Sequence, residues 1–259
     1  MRWTRSVAWG IASVVAGLED TSGRTIRTAS AAPDLARRVL RRAIHFASYN
    51  FVLRRRSTRT VRADGFCLTV RPTVFHPRYF IASEYFSRFV TQLDLRDRSV
   101  VDVGTGTGII ALSAARAGAA NVVAVDINPN AALSARDNAA IHGFGDRVSV
   151  VCGDLLSALS PRAQFDVILF SPPFFSEEPL DLADRAWHAG PGYRDIKALF
   201  EQARTRLAPG GRFYVLLSTH SDLPLIGSLI EQAKFRARLV ARKSLLIESL
   251  VLFELRPQA

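Results

Sequence analysis

Residues 101–108 read Val101-Asp102-Val103-Gly104-Thr105-Gly106-Thr107-Gly108. The apolar run Ser99–Val103 is what a buried parallel strand requires. It passes directly into three alternating glycines and then into the helical stretch Ile109–Ala117. Gly118 stands where a helix-terminating glycine belongs. Glycines between a strand and a helix let the backbone approach a ligand closely, and the helix start offers free N–H groups. The pattern restricts the chain to an α/β fold with a binding crevice at the ends of its parallel strands.

The following residues extend that pattern. Asn121–Val125 reads as the next strand, and Asp126 closes it, placed to accept hydrogen bonds from both hydroxyls of a ribose. Asn128-Pro129 then opens a helix, with Asn as N-cap and Pro at the first helical position, running to about His142 before Gly143. Val148–Val151 is a third strand, followed by Asp154-Leu155; Phe165–Phe170 is a fourth, followed by Ser171-Pro172-Pro173-Phe174. Two prolines remove two N–H donors and stiffen the turn, leaving carbonyls and the Ser171 hydroxyl to face a ligand. The G-x-G-x-G spacing departs from the G-x-G-x-x-G fingerprint of dinucleotide sites, which argues against a nicotinamide cofactor.

Residues 73–259 resemble the class I methyltransferases related to the release-factor glutamine N-methyltransferases, which carry Asn-Pro-Pro-Tyr/Phe at the end of strand four. The resemblance rests on the glycines, the acidic strand ends, the Pro-Pro clamp and Leu207-Ala208-Pro209-Gly210-Gly211, a turn typical before strand five. Val74-Phe75-His76-Pro77, with Ser83 beginning a helix, resembles the segment these enzymes place over the cofactor; Ala189-Gly190-Pro191-Gly192 resembles a loop downstream of their clamp. The resemblance implies S-adenosyl-L-methionine as cofactor. It implies Asp102, Gly104, Gly106 and Gly108 around the methionine end, Asp126 with Ile127 at the ribose, and Asp154 with Leu155 at the adenine. Ser171, Pro172 and Phe174 become the catalytic set, with Ser171 also beside the cofactor. The departure is Ser171 in place of Asn, which exchanges an acceptor and two donors for one hydroxyl. Some exocyclic-amine DNA methyltransferases also carry Ser-Pro-Pro-aromatic, so the acceptor is open among amide, amine and hydroxyl.

The expected architecture is a Rossmann-like seven-stranded, mostly parallel sheet with helices on both faces, plus an N-terminal helix and β-hairpin extension. Arg194–Leu207 is an amphipathic helix with Ile196, Leu199, Phe200, Ala203 and Leu207 on one face; Arg212–Leu217 is strand five, and Leu223–Lys234 a helix. Ala237–Leu246 and Ser249–Leu255 close the sheet as an antiparallel pair. Residues 33–80 form a basic segment: a helix over 35–51, then a hairpin, Thr58–Ala63 and Phe66–Arg71, turning at Asp64-Gly65. Residues 81–259 form the transferase domain. Residues 1–32 are expected to be a loose extension, because the apolar run Val7–Leu18 is too short to span a bilayer and no clean small-x-small cleavage site follows it.

Charge is unevenly distributed. Residues 1–80 hold 15 arginines, no lysine and four acids, whereas residues 81–259 hold 19 basic and 19 acidic residues, so the whole net charge of +11 lies in the first part. Such a segment suits an acidic partner such as RNA, and equally a solvated arginine-rich face. With only three lysines in the chain, the use of arginine needs no functional reason. The two cysteines, Cys67 and Cys152, have no metal or redox spacing and fit a reducing cytoplasm; no metal site is expected. Of the five scattered histidines, only His76 is singled out for a role beyond structure or surface. Three readings follow: transfer to a small-molecule or protein acceptor, transfer to a nucleic acid guided by the basic segment, or cofactor binding without catalysis, against which the intact clamp argues. Neither the acceptor nor the oligomeric state is encoded in a recognisable motif.

Overall fold

A computed structural model describes residues 18–19, 57–76, 81–246 and 248–258. The helix expected over 35–51 lies outside the described residues. The two-residue strand β1 (Leu18–Glu19) is followed by the hairpin β2 (Arg59–Ala63) and β3 (Phe66–Val70). Then come α1 (Ile81–Val90), β4 (Ser99–Val103), α2 (Ile109–Arg116), β5 (Asn121–Asp126), α3 (Pro129–Ile141), β6 (Val148–Cys152) and β7 (Phe165–Phe170). The chain closes with α4 (Arg194–Arg206), β8 (Leu207–Ser218), α5 (Leu223–Gln232), β9 (Phe235–Ser244) and β10 (Ser249–Pro257).

The main sheet runs β9-β10-β8-β7-β4-β5-β6, the seven strands expected, and β1 pairs with the outer edge of β9 as a two-residue addition. The pairs β8–β7–β4–β5–β6 are parallel, and β10 is antiparallel to both neighbours. Helices α1, α2 and α3 bury one face through residues such as Phe86, Leu112 and Ala139. Helices α4 and α5 cover the other through Leu199, Phe200, Ile226 and Ile230. Central strands buried on both sides explain the apolar runs of β4 and β7, each interrupted by one aspartate, Asp102 and Asp166.

The hairpin turns at Asp64 (φ 47°) and Gly65 (φ 81°), the paired positive φ values that a two-residue hairpin favours. It docks on α3. Asn138, fully buried, accepts from Thr69 N at 2.7 Å and donates to Thr69 O at 3.0 Å and to Thr107 O at 2.8 Å. One side chain thus ties the hairpin to the glycine turn. Arg71 and Asp137 add an ion pair at 2.6 Å, and Val61, Phe66, Leu68 and Val70 join the core that α1–α3 build.

Of the boundaries that differ from expectation, two stand near the site. Ile81 and Ala82 are already helical in α1, ahead of the start expected at Ser83. Strand five begins at Leu207: Leu207 pairs with Phe165 and Arg212 with Val167, so residues 208–211 bulge opposite Asp166 alone. The Ala-Pro-Gly-Gly turn is therefore an insertion within the ladder, with Gly210 at φ 76°.

Candidate active site

The C-terminal ends of β4, β5, β6, β7 and β8 open onto one cavity of about 340 Å³. Its floor is the glycine turn. Gly104 (φ 71°) and Gly106 (φ 57°) both line it, and a Cβ built on either meets nothing within 4 Å, so the backbone is bare toward open space. Gly108 is a glycine for another reason: a Cβ there would lie 3.0 Å from the Ala135 backbone, so it permits α2 and α3 to close together and does not line the cavity.

Asp126 carries the turn and faces the cavity at once. Its carboxylate accepts from Gly106 N at 2.8 Å and from Asn128 N at 2.9 Å. Two carboxylate oxygens have further acceptor capacity, and the residue lies on the cavity wall. Burial raises its pKa, partly offset by the bonds from the Asn128 and Gly106 amides. Asn128 caps α3, accepting from Asn130 N at 3.0 Å, and its amide nitrogen donates to Thr73 O at 3.0 Å. This fastens the strap Thr73–Phe75 to the cavity rim.

Asp102 is not on the wall. It is fully buried beneath the turn, where one oxygen accepts from Thr105 Oγ1 at 2.6 Å and Ala111 N at 3.1 Å. Its other oxygen has no partner among the described residues. Desolvation pushes its pKa up to about 7, against the lowering effect of the Thr105 and Ala111 bonds, with the nearby Asp126 raising it further. The structure gives Asp102 the job of holding the turn.

Ile127, Asp154 and Leu155 all line the cavity. The Asp154 side chain makes no cap bond to the 3₁₀ turn it precedes, Leu155–Ala158. Leu155 is held at φ 49°, and Leu156 N donates to Gln202 Oε1 at 2.8 Å. Ser171, Pro172, Pro173 and Phe174 follow β7 onto the same wall. The buried Tyr193 fixes this clamp: its hydroxyl donates to Phe174 O at 3.1 Å and accepts from Asp222 N at 2.8 Å. Burial raises the Tyr193 pKa, which keeps that donor protonated.

Beyond the clamp the wall is aromatic. Phe175 and Trp187 stack at 5.7 Å with planes 5° apart, and Phe75 meets Trp187 edge-on at 5.8 Å. Phe175 N donates to Trp187 O and Ala189 N to Phe175 O, pinning residues 187–189 against the clamp. Arg185 pairs with Asp195 at 3.0 Å on this side, and His220 and Glu248 line the far wall. Trp187, Arg185, His220 and Glu248 escaped sequence reasoning, because they lie in irregular segments with no period or motif. His76, directly after the strap, is buried and does not line the cavity.

The residues fit S-adenosylmethionine: a bare glycine floor for an extended chain, a carboxylate on the wall for ribose hydroxyls, and a second carboxylate, Asp154, one strand further. Among the described residues, no cluster of three or more His, Cys, Asp or Glu could hold a metal, and no helix is long and apolar enough to cross a membrane. Fold and site together define a class I S-adenosylmethionine-dependent methyltransferase. The chain belongs to the methyltransferase small domain family, whose model matches residues 81–244. It is 28% identical over 196 residues to a Methanocaldococcus jannaschii protein provisionally named a protein N5-glutamine methyltransferase, covering 74% of this chain and 95% of that one. It is 32% identical over 123 residues to the tRNA1(Val) (adenine(37)-N6)-methyltransferase of Bacteroides fragilis, spanning 46% of this chain and about half (51%) of that relative. Among solved structures it resembles a ribosomal protein L11 methylase from Lactobacillus delbrueckii subsp. bulgaricus, at TM-score 0.55 and 19% identity over 73% of this chain and 84% of that one. It also resembles a 16S rRNA N2 G1207 methyltransferase of T. thermophilus in complex with AdoMet and guanosine, at TM-score 0.54 and 23% identity over 77% of this chain and 50% of that one. At these identities the structural likenesses speak for the fold alone.

Proposed function

We propose that this protein transfers the methyl group of S-adenosylmethionine to a planar nitrogen, an amide or amine, on a protein or small-molecule acceptor in the cytoplasm. We read residues 81–259 as the transferase domain, with the basic segment 33–80 preceding it. The observation that carries the reading is the position of Ser171-Pro172-Pro173-Phe174 on the cavity wall between the glycine floor and the aromatic wall of Phe75, Phe175 and Trp187.

When bound, S-adenosylmethionine supplies an activated methyl group. The protein's part is to aim a lone pair at it. Gly104 and Gly106 hold the methionine end, Asp126 with Ile127 the ribose, and Asp154 with Leu155 the adenine. The Ser171 hydroxyl and the Pro172 carbonyl accept hydrogen bonds from the acceptor's N–H groups, turning its lone pair toward the floor. Phe174 covers the planar group and excludes water. A glutamine amide satisfies all of these, and the M. jannaschii relative supports that class.

Transfer of tritiated methyl groups to a glutamine-containing peptide tests this reading. Ser171→Ala and Phe174→Ala should each lower the rate by about tenfold or more, the loss of an interaction worth roughly 1–3 kcal/mol, with affinity for S-adenosylhomocysteine unchanged. If either variant loses cofactor affinity while its bound fraction turns over normally, the clamp is a scaffold and the reading fails. A second reading, an exocyclic amine of a nucleic acid, is favoured by the likeness to the B. fragilis tRNA methyltransferase and by the 15 arginines of residues 1–80; a tRNA transcript in place of the peptide tests it.

A further inference from the structure

We propose that His220 is a catalytic base for this methyl transfer and that Glu248 is its positioning residue; the inference rests on the methyltransferase reading above. In the sheet, β8 and β10 lie on the opposite side of β7 from β4, β5 and β6. His220 follows the end of β8 and Glu248 precedes β10, so both stand at the edge where the cavity opens, and both line it. Asp126 and Asp154, the carboxylates assigned above to the cofactor, stand across the clamp, at the end of β5 and just past β6. An acceptor seated at the clamp therefore has the cofactor on one flank and His220 on the other.

The pair is built into the fold. His220 Nδ1 lies 3.6 Å from Glu248 Oε2, an ion-pair contact that a protonated ring would tighten. Ser218 Oγ donates to the same Glu248 oxygen and accepts from His220 N at 3.0 Å, so one hydroxyl orients both residues. Thr219 and Ser249 exchange two further bonds, Thr219 N to Ser249 O and Ser249 N to Thr219 Oγ1, each 2.9 Å, locking the two segments together. Asp222, two residues after His220, is tied to the clamp carbonyl through Tyr193. The His220 loop is thus indexed to the residues that hold the acceptor. Arg185 and Asp195, charged residues of the aromatic side, are paired with each other at 3.0 Å, and histidine is the side-chain type that exchanges a proton near neutral pH.

Methylation of an amide, amine or hydroxyl releases a proton that must go somewhere. The acceptor's lone pair forms a bond to the methyl carbon, the carbon–sulfur bond breaks, and its electron pair stays on sulfur. As the bond to carbon forms, one acceptor N–H leaves the Ser171 hydroxyl and gives its proton to His220 Nε2, while Glu248 offsets the charge of the resulting imidazolium. The proton then leaves to water with product release.

The test uses tritiated-methyl transfer to an extract from cells lacking the gene, whose acceptors are unmethylated, alongside calorimetry with S-adenosylhomocysteine. His220→Ala should lower the rate at saturating extract by about 100-fold or more, keep cofactor affinity and melting temperature, and recover activity when imidazole is added. Glu248→Gln should lower the rate with affinity kept, and Glu248→Asp should restore part of it. A His220→Ala rate equal to wild type, or a loss that imidazole does not restore, overturns the role of His220. Wild-type protein that binds the cofactor but labels nothing overturns the methyltransferase reading itself, and this inference with it.

Discussion

Replacing Asp102 with Asn should make the unliganded protein more stable at mildly alkaline pH, although it removes a charge from beneath the most informative turn in the chain. Asp102 is wholly buried, one of its oxygens lacks a partner among the described residues, and its pKa rises from 3.8 to about 7. A carboxyl whose pKa is raised by folding holds its proton in the native state after the unfolded chain has released it. Below about pH 4 both states are protonated and nothing is lost. Between about pH 4 and 7 the native state binds more protons, so stability falls as pH rises, by about 1.4 kcal/mol per unit; above about 7 the full cost, on the order of 4 kcal/mol, is present. An Asn oxygen can still accept from Thr105 Oγ1 and Ala111 N, while its buried NH₂ costs roughly 1–3 kcal/mol at every pH. The wild-type and Asp102→Asn stability curves should therefore cross between about pH 4.5 and 6, the variant being less stable near pH 4 and more stable near pH 8. Urea unfolding across that range measures both curves. A difference between them that does not change with pH would refute the argument, because it would mean that Asp102 does not titrate differently on folding.

Other expectations follow from the same geometry. Asn138→Ala should destabilise the protein by about 2–4 kcal/mol, since it orphans the Thr69 and Thr107 backbone groups in the core; chemical denaturation with unchanged m-value checks it. Gly108→Val should abolish stable folding or cost more than about 3 kcal/mol, through φ 83° and a 3.0 Å approach to Ala135, and circular dichroism melting would detect it. Ser171→Asn should raise transfer to a glutamine-containing peptide if the amide geometry of the related enzymes is latent here, measured as kcat/KM. If residues 1–80 act only as packing or lid, neutralising Arg54, Arg55 and Arg56 should leave the salt dependence of activity unchanged; an RNA-binding role would instead give a binding slope of about 0.7–0.9 log units per phosphate contact.

The cofactor half of the cavity was legible in the sequence because its parts are local. Strand, glycine turn, helix and terminal acid follow one another within short windows, and Asn128-Pro129 announces its helix by cap chemistry alone. Asp102 shows where that legibility stops. Spacing puts it next to the turn but does not say whether its side chain lies above the turn or below it; close packing of α2 on β4 puts it below. The Ala-Pro-Gly-Gly segment reads as a simple loop, yet the ladder resumes on both sides of it, because pairing with β7 is a long-range fact. Ser83 has the chemistry of a helix start, but Ile81 and Ala82 are already helical, and Ala82, Phe86 and Val90 share the helix's buried face. Of the side proposed to seat the acceptor, only the Ser171–Phe174 clamp was legible. Trp187 is stacked by Phe175, and His220 meets Glu248 across two strands. Such contacts arise only when β7, β8 and β10 have assembled.

The glycine floor and Asp126 are proposed to form the S-adenosylmethionine site. Isothermal titration of S-adenosylhomocysteine into wild-type protein and Asp126→Ala tests it most directly. Wild-type protein should bind it and show no heat with NADH. Asp126→Ala, which removes charged hydrogen bonds worth roughly 1.5–3 kcal/mol, should weaken binding by about 10- to 150-fold. Equal affinity in the two proteins, or binding of NADH in place of S-adenosylhomocysteine, would contradict the claim.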